Sequence, residues 1–117
     1  MAIENALASV AVKNLDAAVA WYESVLNLAA SRPMAQVAEW SFVRGGGLQV
    51  YRSEERAGSG SFTLAVSNLD EHVAAMVKLG IDTSKQEATE RVKTLMIADP
   101  DGNHIAFAEA HDPALVR

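Results

Sequence analysis

Among side chains able to do acid–base or metal chemistry near neutral pH, the chain offers three histidines, His72, His104 and His111, and no cysteine. The missing thiols exclude disulfides, thiolate metal sites and a cysteine nucleophile. Serine, histidine and acid are all present, but no Gly-x-Ser-x-Gly elbow sets a serine for attack, so a hydrolytic triad has no support. Gly45-Gly46-Gly47 lacks the Gly-Lys-Ser/Thr ending of a phosphate loop and joins two apolar runs, which makes it a hairpin turn. His72 falls in a helical segment and His111 in a C-terminal tail, 111–117, and both read as solvated. His104 opens the last strand, on the same face as Ala106 by period-two alternation. Alternation also groups Trp40, Phe42 and Arg44 on one face of a strand, and Gln49 and Tyr51 on one face of the next.

Those residues need a scaffold, and 117 residues suffice for one ordinary domain. Half the residues are hydrophobic and 21% are charged, the balance of a globular chain with a core. Ten Lys and Arg against 15 Asp and Glu give a net charge of −5. With no basic block to neutralise phosphates, nucleic acid is a poor partner. No apolar run reaches membrane-spanning length, and no basic stretch precedes an apolar one at the start. The expectation is a cytoplasmic protein.

The main organising feature is an internal repeat. VAVKNLDAAVA (10–20) and LAVSNLDEHVA (64–74) match at seven of eleven positions, at an offset of 54 residues. Two copies are too few for a stacked array, so the chain reads as two similar halves: a module over about 1–56, a polar, flexible linker over about 54–60, and a module over about 61–110. Each half opens with a short strand, Leu7 to Val12 and then Phe62 to Val66. Asn14 and Asn68 follow as N-caps, and Glu71 stands three after Asn68. Leu15, Val19, Tyr22 and Leu26 recur at helical spacing, as do Leu69, Val73, Met76 and Gly80. Gly80 suits a helix stop, whereas the first helix fades around Leu28 to Ala30 without a clear one. Hairpins follow: Glu39 to Arg44 with Leu48 to Ser53, and Val92 to Ala98 with His104 to Ala110 around Asp99-Pro100-Asp101-Gly102-Asn103. Segments at Ala30 to Met34 and Ser84 to Ala88 supply a third strand for each half. The fold class is α+β, two βαβββ modules.

With the repeated Asn-Leu-Asp turn and the DPDGN hairpin in place, the chain resembles the vicinal oxygen chelate superfamily, which includes glyoxalase I, extradiol dioxygenases and the bleomycin resistance proteins. The resemblance implies curled sheets with helices outside, a ligand in the concave interior, and a homodimer. In the family's enzymes, histidines and carboxylates on inward strand positions hold a divalent metal. The motif register places those positions on Leu7, Gln49, Ser61 and Ala106. None is an imidazole or a carboxylate, and a divalent ion needs three or four good donors. No metal or other cofactor is therefore expected.

What remains is an apolar hollow with a few polar groups. If Gln49 inherits an inward position, Tyr51 faces inward with it, and the offset of 54 maps Trp40 onto Thr94, Phe42 onto Met96 and Arg44 onto Ala98. Trp40, Phe42, Arg44, Gln49, Tyr51, Met96 and His104 are the candidate ligand-binding residues, with the aromatic rings able to stack a planar or cationic group. Trp40 and Phe42 can equally be core or interface packing. The expected function is capture of a small organic molecule, aromatic or cationic in part. The alternative is a metal-dependent lyase, isomerase or dioxygenase with non-standard ligands.

Overall fold

The structure, a computed structural model, describes residues 2–111. The expected tail lies outside the described residues apart from His111. The element order is β1 (Leu7–Val12), α1 (Leu15–Leu26), β2 (Ser31–Met34), β3 (Val37–Ser41), β4 (Gly47–Arg52), β5 (Ser61–Ala65), α2 (Leu69–Lys78), β6 (Gln86–Ala88), β7 (Val92–Ala98) and β8 (His104–Ala110). Both short third strands expected from the sequence are present. The strands form two four-stranded mixed sheets, ordered β1-β4-β3-β2 and β5-β8-β7-β6. In each, the strand before the helix pairs parallel with the last strand of its half, and the remaining pairs are antiparallel. No helix among the described residues is long and apolar enough to cross a membrane.

The chain divides into two compact units, one running up to Gly60 together with Pro100–Asn103, the other containing Ser61–Asp99 and the chain from His104 onward. In the first unit, α1 starts where the Asn14 side chain accepts a hydrogen bond from the Ala17 amide at 3.0 Å. Its stop is Asn27, in the left-handed conformation at φ 52°. Asparagine tolerates that region better than other residues bearing a Cβ, so it does here what glycine does elsewhere. Leu15, Ala18, Tyr22 and Val25 are the buried helix residues, while Val19 and Leu26 are half-buried. They cover a sheet face made of Val10, Val12, Ala38, Trp40, Leu48 and Val50, all buried. Each large apolar side chain fully removed from water contributes roughly 1.5–3 kcal/mol, so this face holds the unit together.

The stretch expected to be a flexible linker is built into the first unit. Gly60 N donates to Asn103 Oδ1 at 2.8 Å, and Asn103 Nδ2 donates to the Ala11 carbonyl at 2.8 Å. Gly58 has φ +85°, and a Cβ there would fall 2.3 Å from the Asp101 carbonyl oxygen. Only glycine fits. The segment Pro100–Asn103 is thus a latch, within this unit, onto β1 and the segment after β4.

In the second unit, α2 starts at Asn68, whose side chain accepts from the Glu71 amide at 3.3 Å. Glu109 Oε1 also accepts from the Leu69 amide at 2.7 Å, satisfying another free donor of the first turn. Glu109 sits on the helix-covered face, in step with Ile105 and Phe107. The helix ends in a Schellman arrangement: Gly80 N donates to the Val77 carbonyl, Ile81 N donates to the Met76 carbonyl, and Gly80 has φ 77°. His72, expected to be solvated, is half-buried and stacks on Phe107 with ring centroids 5.8 Å apart.

Candidate functional site

In each unit one sheet face is covered by the helix and the other is not. Strand register decides which residues occupy the second face. In the first unit Ser9 pairs with Gln49, and Gln49 with Glu39. Directly paired residues share a face, so Ser9, Gln49 and Glu39 lie side by side, turned away from α1. Tyr51, two residues from Gln49, shares that face and is half-buried, and so does Leu7, 47% exposed. The three polar side chains form a chain: Ser9 Oγ donates to Gln49 Oε1 at 3.4 Å, and Gln49 Nε2 donates to Glu39 Oε1 at 2.8 Å.

Trp40 is on the other side, and this corrects the expected aromatic wall. It pairs with Leu48, is 1% exposed, and lies under α1 with its ring centroid 5.8 Å from that of Tyr22. Its indole N–H donates to the Leu28 carbonyl at 2.8 Å, so the buried polar tip is satisfied. Phe42 and Arg44 are corrected as well. β3 ends at Ser41, and both residues belong to the loop before β4, Phe42 half-buried and Arg44 exposed. The loop is closed by Phe42 N to Gly46 O and Gly45 N to Phe42 O, with Asn5 Oδ1 accepting from Gly46 N at 2.7 Å.

The face of Trp40 follows from a change of offset between the halves. From Leu7 to Ser61 and from Leu15 to Leu69 the two halves keep the offset of 54, but Gln49 corresponds by register to Ala106, an offset of 57. Glu39 therefore corresponds to Met96, the partner of Ala106, and Trp40 to the buried Ile97. An odd shift of three reverses the face of every side chain. Glu39 is the residue missed by sequence reasoning, and the signal was there: once Ser41 closes on Gly47, the residue opposite Gln49 must be Glu39.

In the second unit the uncovered face carries Ser61 and Thr63 from β5, His104 and Ala106 from β8, and Thr94, Met96 and Ala98 from β7. His104 is exposed and Met96 is 37% exposed. A hollow of about 360 Å³ is lined by Lys85, Gln86, Glu87, Thr94 and Met96. The structure thus brings Met96 and His104 to one face, and Gln49 and Tyr51 to another. A further hollow of about 310 Å³, at the start of α1, is lined by Lys13, Asp16, Arg32, Gln36 and Arg52 among others. There Arg32 is paired with Asp16 at 3.3 Å, and Arg52 with Glu54 at 3.8 Å.

A model of the glyoxalase-like domain family matches residues 8–108. The chain belongs to the glyoxalase-like family. Solved structures place it in the vicinal oxygen chelate superfamily. This glyoxalase-like chain is 35% identical to a glyoxalase/bleomycin resistance protein of Catenulispora acidiphila, with a TM-score of 0.81 over 92% of this chain and 98% of that one. TnmS3, an antibiotic binding protein from Streptomyces sp. CB03234, is 21% identical, with a TM-score of 0.81 over 94% and 98%. A lactoylglutathione lyase of Agrobacterium tumefaciens is 20% identical, with a TM-score of 0.77 over 91% and 92%. These last two share the fold. No match is found among curated proteins.

The register lets the superfamily's metal positions be tested against the residues present. Leu7 and Gln49 lie on the uncovered face of the first sheet, Ser61 and Ala106 on that of the second. Aliphatic, amide, hydroxyl and methyl groups are not a donor set for a divalent ion. Among the described residues, no group of three or more His, Asp or Glu side chains offers an alternative. The residues of this glyoxalase-like chain do not fit the metal.

Proposed function

We propose that the chain binds a small organic molecule on the sheet faces turned away from its helices, and that it retains this guest without metal-assisted chemistry. The observation that carries the reading is the substitution of Leu7, Gln49, Ser61 and Ala106 at four uncovered strand positions where the superfamily's enzymes hold their ion. The same faces keep the features of a binding surface: an aromatic ring at Tyr51, a fixed polar chain through Ser9, Gln49 and Glu39, and a hollow beside Met96. Likeness to an antibiotic binding protein supports the reading as an analogy of fold. Within each unit β1, β2, β5 and β6 are sheet edges, which favours a homodimer in which a second copy covers some of them. The cytoplasm is the proposed compartment, in keeping with a cysteine-free chain.

A thermal-shift panel of antibiotics and aromatic metabolites, run with and without chelator, tests this. A guest that binds only the native state raises the melting temperature. Stabilisation that is indifferent to chelator is the expected result, and stabilisation that chelator abolishes contradicts it.

A further inference from the structure

On the uncovered positions of β1, β3 and β4 (Leu7, Ser9 and Ala11; Val37, Glu39 and Ser41; Gly47, Gln49 and Tyr51) the one charged side chain is Glu39. It is half-buried, and the Gln49 amide holds its Oε1 at 2.8 Å while Ser9 holds Gln49. The carboxylate is therefore aimed rather than free to swing, and Oε2 is left for a guest. Among the described residues no cation pairs with it. Arg32 and Arg52, the guanidinium groups carried by the same sheet, are engaged by Asp16 and Glu54.

We propose that Glu39 makes this face selective for a guest carrying a protonated nitrogen beside a planar ring, an inference that rests on the small-molecule reading above. A cationic N–H would complete a charge-assisted hydrogen bond to Oε2, the stronger class of such bonds. A neutral guest of the same shape would displace water from a carboxylate and return nothing for it. Tyr51 supplies the ring surface on the same face, where a delocalised cation also gains from the π cloud. The preference belongs to one side chain and not to the net charge of −5, which acts over distances of a Debye length and falls with salt.

The test is a matched pair of dyes at neutral pH and physiological salt: acridine, which is neutral there, and 9-aminoacridine, which is cationic, titrated by fluorescence into the full chain. The cationic dye should bind on the order of tenfold more tightly than the neutral one. Glu39→Gln, which keeps an acceptor for the Gln49 amide, should remove that preference by weakening 9-aminoacridine binding, with the melting temperature unchanged. Glu90→Gln, removing the same charge from an exposed turn, should leave it intact. Equal binding of the two dyes by the wild type, or a preference that survives Glu39→Gln, overturns the role of Glu39 and leaves the binding face standing. Failure of both dyes to bind overturns the reading of the face as a site for planar guests, and this inference with it.

Discussion

Asn103 is wholly buried, and its amide ties three stretches of the first unit together, donating to Ala11 and accepting from Gly60. Replacing it by alanine strands a buried carbonyl and a buried N–H. Asn103→Ala should therefore cost about 2–4 kcal/mol, measured by urea unfolding, an amount usual for buried polar partners. The motif around this residue was legible in the sequence, but only as a turn. Its role depends on a contact 92 positions away, which no local pattern encodes. Trp40 makes the complementary point. Alternation put it in a set with Phe42 and Arg44, yet alternation leaves open which face is which, and the register fixed by Ser41 and Gly47 turns it under α1. Trp40→Ala should destabilise the fold by about 3–5 kcal/mol, as expected for an emptied core site, rather than acting on guest affinity alone. A variant as stable as the wild type that loses only binding would return Trp40 to the binding face.

At the scale of elements, the strands, both helices, their N-caps and the stop of α2 were readable because each has a local cause: short apolar runs, Asn at the N-cap, helical spacing of Leu15, Tyr22 and Leu69, Gly80 at a stop; the stop of α1 at Asn27 was not read. What could not be read from the repeat was the change of offset from 54 to 57 between β1 and β4, because the third strand and its turns differ in length between the halves. The glycines give an element-level test. Gly80 has open space around the Cβ position, so Gly80→Ala should cost only the left-handed backbone term, about 1 kcal/mol. Gly58→Ala meets the Asp101 carbonyl as well and should cost far more, in proportion to the latch it breaks. Equal unfolding free energies for the two variants would show that the segment after β4 is not held as described.

The whole molecule joins a glyoxalase-like fold to sheet faces on which the superfamily's metal positions carry Leu7, Gln49, Ser61 and Ala106. The proposed homodimer predicts a mass of twice 12.5 kDa by light scattering, and a monomer at high concentration would remove it. The donor set, however, decides whether a metal can be held. Calorimetric titration of chelator-stripped protein with Ni²⁺, Zn²⁺ and Mn²⁺ tests it most directly. No saturable heat is the predicted result. Tight uptake of one ion per chain, lost on changing Gln49 or Glu39 to alanine, would contradict it.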